Sequence, residues 1–187
     1  MCNFDVGFEV ISSPGALKYL PRTLRNLSIR KPFVIADSHI MGTPLFESFK
    51  NVVPRDLIAT VFSDVPREPD EETVISALAL YRATRSDGLI VYGGRSALDT
   101  GKALLLLASQ DGPLYRYDHR DSNPKEIDAD KPPFIAISLP DDHREGVREI
   151  ALVKLRNGRE IVLNSSNLHP TKLIMDLTLL DKLKRPA

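Results

Sequence analysis

The stretch from Leu89 to Lys102 runs through an apolar segment, a pair of glycines and a helical segment, which is the order of a strand, a turn and a helix. Because Gly93 and Gly94 lack Cβ atoms, the chain can turn sharply and a ligand can approach its backbone. The free N–H groups of the next helix, with the positive end of its dipole behind them, would face that ligand. This pattern is typical of a phosphate site, but it also fits an ordinary turn after a buried strand.

Polar side chains follow the glycines at positions suited to a bound phosphate. Ser96 lies where a helix N-cap or a phosphate-contacting hydroxyl would lie. Asp99 and Lys102 are three residues apart, which places them on one face of the first helical turns. That spacing also fits a surface ion pair of little energetic value. Neither the G-x-G-x-x-G fingerprint nor a Walker A loop is present.

Residues 93–102 read GGRSALDTGK and resemble the G-G-G-S-x-x-D-x-x-K signature of the iron-containing (group III) alcohol dehydrogenase family. Arg95 stands at the third glycine of that signature. In the family the signature binds the pyrophosphate of NAD(P). The resemblance therefore implies that the matching residues hold NAD, namely Gly93, Gly94, Ser96, Asp99 and Lys102.

Asp37 follows a second apolar run, 32–36, which predicts a buried parallel strand. A carboxylate at the carboxyl end of such a strand can accept hydrogen bonds from both hydroxyls of a ribose and would repel a 2′-phosphate. In the family an acidic residue here is linked to NAD over NADP, so the resemblance implies that Asp37 binds the cofactor ribose. Capping of the following turn by Asp37 fits the sequence equally well.

Short apolar runs alternate with helical patterns, and this alternation predicts an α/β, Rossmann-like fold with a mainly parallel sheet and helices on both faces. Further strands are expected at 8–12, 57–62, 89–92, 134–139 and 171–175, and helices after Ser13, after Asp70, at 97–109 and at 177–183. Pro21 should kink or split the first helix. Asn157-Gly158 between alternating segments predicts a β-hairpin near 150–163. Residues 110–131 read as a long surface loop packed onto the protein, and 1–187 as a single dinucleotide-binding domain.

The resemblance extends only to the amino-terminal, dinucleotide-binding half of the family. The other half is a helical domain that holds a divalent metal through one aspartate and three histidines. We expect no metal site in this chain, because its four histidines form no His-x-x-x-His pair.

A second departure from the family follows the strand at 134–139. Asp141, Asp142 and Glu145 replace small polar residues that in the family line the cofactor. Three carboxylates there would repel a pyrophosphate by roughly 1 kcal/mol each if partly buried. Arg95 either binds a phosphate with its fork of donors or fills the pocket.

Composition excludes several classes of partner. The chain has 187 residues, of which 42% are hydrophobic and 27% charged, and its formal net charge is zero. Balanced charge does not indicate nucleic-acid binding, and no apolar run is long enough to span a bilayer. No signal-peptide pattern is present, and Cys2, the single cysteine, forms no intrachain disulfide. We expect a cytoplasmic protein without nucleic-acid or membrane partners.

Three functions fit the sequence. The first is the NAD-binding domain of an oxidoreductase that acts on alcohols or aldehydes, with no catalytic residues of its own and a metal-bearing helical partner needed for turnover. The second is a degenerate nucleotide-binding module without enzymatic activity. The third is an interaction protein whose bare apolar surface pairs with a helical partner domain or with a second copy.

Overall fold

The computed structural model describes residues 8–54, 57, 59–138 and 148–179. Its strands are β1 (Glu9–Ser13), β2 (Pro32–Ala36), β3 (Thr60–Phe62), β4 (Gly88–Tyr92), β5 (Phe134–Ser138), β6 (Ile150–Lys154), β7 (Glu160–Asn164) and β8 (Lys172–Asp176). Its α-helices are α1 (Leu20–Asn26), α2 (Pro44–Val52), α3 (Glu71–Ala83) and α4 (Arg95–Ser109). Short 3₁₀ turns cover Ala16–Tyr19, Ser38–Ile40, Leu114–Tyr117 and Ser166–Leu168. Within these described ranges, no helix has both the length and the apolar character that crossing a membrane requires.

Six strands form one sheet in the order β1-β8-β5-β4-β2-β3, and each neighbouring pair is parallel. The central strands β2, β4 and β5 are buried along their whole length, because helices cover both faces. This architecture confirms the predicted Rossmann-like α/β fold.

The helices lie on opposite faces of the sheet. Helix α2 packs its apolar side chains into one buried cluster, together with α1. Helices α3 and α4 contribute to the cluster on the other face. Since β2 leads to α2 and the adjacent β4 leads to α4, the connections from these two strands leave toward opposite faces. A crevice opens at such a point beyond the carboxyl ends of the strands, where ligands of α/β sheets bind.

Strands β6 and β7 form a separate antiparallel hairpin, paired from Ile150↔Asn164 to Lys154↔Glu160. This confirms the predicted hairpin near 150–163. The long loop before β5 is packed down, as predicted, because Tyr117 and Asp118 are only 1% and 2% exposed.

The structure differs from two local predictions and adds one helix that was not predicted. The first helix was expected directly after Ser13, but Gly15 precedes a 3₁₀ turn there, and the Asp176 carboxylate accepts hydrogen bonds from the N–H groups of Gly15 and Leu17. Pro21 lies in the first turn of α1, so the helical segment is split, as predicted. The strand expected at 57–62 begins only at Thr60. Helix α2 was not predicted at all, although Thr43-Pro44 is an ordinary helix start.

Candidate functional site

The glycine turn lies between β4 and α4, at the carboxyl edge of the sheet. Gly94 is the N-cap residue of α4, and its N–H donates to Asp37 Oδ2 at 2.6 Å. A Cβ atom on Gly93 would lie 2.6 Å from the Asp37 Cγ and closer still to Oδ2. A side chain at 93 would therefore force the Asp37 carboxylate to move, and the φ of +157° at Gly93 also favours glycine.

Asp37 lies at the end of β2 and is 6% exposed. Its side chain makes no capping bond to the 3₁₀ turn that follows it, so the turn-capping interpretation is wrong. The carboxylate instead faces the N-terminus of α4, where the helix dipole favours negative charge. Within the described part of the chain only Oδ2 accepts a hydrogen bond. Oδ1 retains its acceptor capacity, which is what a ribose hydroxyl requires.

Ser96 is the second residue of α4, so it is not the N-cap, and that interpretation is wrong. Its Oγ donates to the carbonyl oxygen of Arg67 at 2.6 Å and so ties the helix to the loop between β3 and α3. Arg95 Nε lies 3.5 Å from Asp99 Oδ2, and the arginine side chain is 48% exposed. The guanidinium therefore lies along the helix, one turn away from the glycines.

Asp99 and Lys102 are 2% and 1% exposed, so the surface ion pair is excluded. Lys102 Nζ donates to the carbonyl oxygens of Arg148 and Ile150 at 2.7 and 3.1 Å. Asp99 Oδ2 accepts from the N–H of Leu152 at 3.2 Å. Burial raises the pKa of the Asp99 carboxyl above its ordinary value, although this hydrogen bond and the nearby cations partly oppose the rise. Both side chains thus bind the backbone next to or within β6.

A cleft of about 540 Å³ opens beside these residues. Its walls come from the start of α4, the loop before α3 and the hairpin, and its lining residues are Arg67, Glu68, Pro69, Arg95, Ser96, Asp99, Leu152, Lys154, Gly158 and Glu160. Its volume lies in the range of small-molecule sites, about 300–1,000 Å³. The charged residues of the lining are three cationic and three anionic side chains, which suit a hydrophilic ligand.

The six predicted cofactor residues therefore lie together at one edge of the fold, but with different surroundings. Gly93 and Gly94 form the turn, Asp37 contacts it from the end of β2, and Ser96 lies at the rim of the cleft. The acidic run at 141–145 and Cys2 lie outside the described residues.

Ser138, the last residue of β5, was not singled out from the sequence. Its hydroxyl is buried and has no hydrogen-bond partner among the described residues. Strand alternation puts it on the sheet face that carries Ala136 and α4. A hydroxyl that ends an otherwise apolar strand was the available signal.

No group of three or more histidine, cysteine, aspartate or glutamate side chains is placed to hold a metal ion in the described part of the chain.

Comparison with known proteins agrees with the fold. The model of the family "Iron-containing alcohol dehydrogenase" matches residues 8–177. The 4-hydroxybutyrate dehydrogenase of Cupriavidus necator is 27% identical over 162 residues, which is 87% of this chain and 42% of that protein. The NAD-dependent methanol dehydrogenase of Bacillus methanolicus is 25% identical over 190 residues, 100% of this chain and 48% of that protein.

Solved structures show the same fold. A 1,3-propanediol oxidoreductase superposes with a TM-score of 0.82 at 19% identity, covering 95% of this chain and 46% of its own. The sulfoacetaldehyde reductase of Bifidobacterium kashiwanohense, solved in complex with NAD+, superposes with a TM-score of 0.81 at 17% identity, covering 94% of this chain and 46% of its own. The chain spans less than half the length of these relatives. With a family match over nearly its whole length, the chain belongs to the iron-containing alcohol dehydrogenase family.

Proposed function

We propose that this chain is the NAD-binding domain of an oxidoreductase that acts on alcohols or aldehydes. The observation that carries the proposal is the glycine turn between β4 and α4, with the Asp37 carboxylate held on the Gly94 N–H at 2.6 Å. Family membership supports the same function, since relatives are named as alcohol dehydrogenases and one as NAD-dependent.

In this proposal the diphosphate lies at the N-terminus of α4, where the N–H groups of the first helical turn beyond Gly94 and the helix dipole favour anions. Asp37 accepts a ribose hydroxyl through its free oxygen, and its charge disfavours the 2′-phosphate of NADP. Ser96 lies beside the diphosphate, while Asp99 and Lys102 support the site from within the protein. When bound, the nicotinamide supplies the hydride-accepting chemistry, and this chain binds and orients it.

Catalysis is proposed to need a metal-bearing helical domain that covers the carboxyl edge of the sheet. The described residues offer no metal site of their own, and the relatives are about twice as long as this chain. A helical partner domain would complete the site, whereas a second copy of the chain would bring only the same described residues and no metal site. A cytoplasmic location, where NAD is available and the single cysteine stays reduced, is part of the same proposal.

Calorimetric titration of the chain with NAD and NADP tests the proposed cofactor. We expect NAD to bind more tightly than NADP. The Asp37→Ser variant should lose about tenfold or more of its NAD affinity, because a hydrogen bond to a carboxylate is lost. The same variant should narrow or reverse the preference over NADP, because the repulsion of the 2′-phosphate is removed.

Glu47→Gln is the matched control, since it also removes one negative charge but lies on an exposed face of α2. It should bind both cofactors like the wild-type chain. If neither cofactor binds to the wild-type chain, the proposal fails and the interaction protein is the remaining function.

A further inference from the structure

Buried polar contacts join α4 to the hairpin, and nucleotide binding alone does not explain them. Lys102 is 1% exposed, although a lysine ammonium is strongly hydrated in water. Its Nζ donates to the carbonyl oxygens of Arg148 and Ile150, and Asp99 Oδ2 accepts from the N–H of Leu152. Burying a charged group without such partners is strongly unfavourable. Lys102 therefore binds backbone carbonyl oxygens in or next to the hairpin, and Asp99 binds a backbone N–H group of the hairpin.

The other walls of the cleft are joined in the same way. Ser96 Oγ donates to the carbonyl oxygen of Arg67 at 2.6 Å, which ties α4 to the loop before α3. The N–H of Lys154 donates to the carbonyl oxygen of Pro69 at 2.8 Å, which ties that loop to β6. The hydrogen bonds of Lys102 connect α4 to β6, so each of the three walls is hydrogen-bonded to the other two. The three walls are thus held at fixed separations by hydrogen bonds.

We infer that Asp99 and Lys102 are positioning residues, which set the width of the cleft by holding β6 against α4, and that Lys102 does not contact the cofactor phosphates. The identity of the ligand in the cleft rests on the proposed function, whereas the hydrogen bonds between the walls are independent of it. The last two positions of the signature then act through the protein, and only its first positions face the phosphates. A variant that breaks the hydrogen bonds between α4 and β6 should therefore weaken NAD binding, although no ion pair to the phosphates is lost.

The Lys102→Met variant separates positioning from direct contact, because methionine keeps much of the length and loses the ammonium. We expect amide hydrogen exchange in β6 (Ile150–Lys154) to become roughly tenfold faster or more, since β6 loses its anchor. NAD affinity should fall about tenfold, and the dependence of that affinity on salt should stay as in the wild-type chain. A direct phosphate contact gives the opposite result: β6 stays protected and the salt dependence weakens.

Lys50→Met is the control for loss of a lysine charge, since Lys50 is 51% exposed and pairs with Glu47 on α2. It should change neither the exchange of β6 nor the affinity for NAD.

Asp99 provides a second test that does not depend on the folding of Lys102→Met. Asp99→Asn keeps an oxygen that can accept from the Leu152 N–H, whereas Asp99→Ala does not. The asparagine variant loses the charge that faces Arg95 but keeps the acceptor, so we expect it to keep β6 better protected and to bind NAD more tightly than the alanine variant does. Equal behaviour of the two variants would overturn the inference. Absence of NAD binding to the wild-type chain counts against the proposed function, and the exchange measurements still decide the positioning role.

Discussion

The residues of the glycine signature, 93–102, fall into two groups: the glycines form the turn, and Asp99 and Lys102 are buried against another element. Spacing alone predicts that Asp99 and Lys102 share one helix face, because residues three apart on a helix are neighbours. Spacing cannot predict which element covers that face. The carbonyl oxygen of Arg148 that Lys102 reaches lies 46 residues further along the chain, and this contact depends on the whole fold. The same is true of Asp37, whose partner Gly94 is 57 residues away.

Ser138 gives a prediction at this scale. Its buried hydroxyl has no partner in the described part of the chain, and an unsatisfied buried polar group destabilises a fold by about 1–3 kcal/mol. We expect Ser138→Ala to raise the free energy of unfolding by about 1 kcal/mol, measured by urea denaturation. Thr100→Val is the contrasting control, since the Thr100 hydroxyl donates to the Ser96 carbonyl oxygen at 2.8 Å. It should lower stability, and a loss of stability in Ser138→Ala would contradict the prediction.

Among the elements, those with strong local signals were predicted best. Asp70 caps α3 by accepting from the Thr73 N–H at 2.7 Å, as its position before two acidic residues indicates. Helix α2 was missed although its signals were available. Thr43-Pro44 is an ordinary helix start, and the buried Leu45, Phe46 and Phe49 share one helix face, as in an amphipathic helix.

The contact of α4 with the sheet gives a prediction at the element scale. A Cβ atom on Gly101 would lie 2.6 Å from Val91 Cγ2 and 3.2 Å from Leu89 Cδ2, so the glycine lets α4 approach β4 closely. We expect Gly101→Ala to lower the free energy of unfolding by about 1–3 kcal/mol, the usual effect of overpacking. This loss outweighs the gain of roughly 0.5–1 kcal/mol that alanine brings to a helix.

Ser76→Ala on α3 is the control for that gain, because Ser76 is exposed and alanine adds only helix propensity. Thermal unfolding followed by circular dichroism compares the two variants. Equal or higher stability of Gly101→Ala would show that α4 can move away from β4 without loss.

At the scale of the whole molecule, the alternation of strands and helices predicts the class of fold, whereas the order of strands follows from distant pairings. Strand β1 pairs with β8, so segments from opposite ends of the described chain lie side by side. Loop closure over this distance leaves no local pattern in the sequence. The Asp176 carboxylate strengthens this junction by accepting from the N–H groups of Gly15 and Leu17 at 2.8 and 2.9 Å.

The junction makes the stability of the whole fold depend on pH. Burial alone would raise the pKa of Asp176, but hydrogen bonds from Leu17, Thr178 and Gly15 stabilise the carboxylate and lower its pKa below the ordinary 3.8. Because the folded pKa is below the unfolded one, this stabilisation is complete above the unfolded pKa and is lost as pH falls through the folded pKa.

We therefore expect the free energy of unfolding to fall as the pH is lowered below about 4, and Asp176→Asn to show a shallower fall over the same range. At neutral pH this variant should be less stable by about 1.5–3 kcal/mol, the usual contribution of a hydrogen bond to a charged group. Part of the acid sensitivity should remain, because hydrogen bonds also lower the pKa of Asp118 despite its burial. Urea denaturation at a series of pH values compares Asp176→Asn with the wild-type chain. Glu47→Gln is the exposed control, and its free energy of unfolding should depend on pH as in the wild-type chain. An unchanged slope in Asp176→Asn would mean that the junction between β1 and β8 does not depend on this carboxylate.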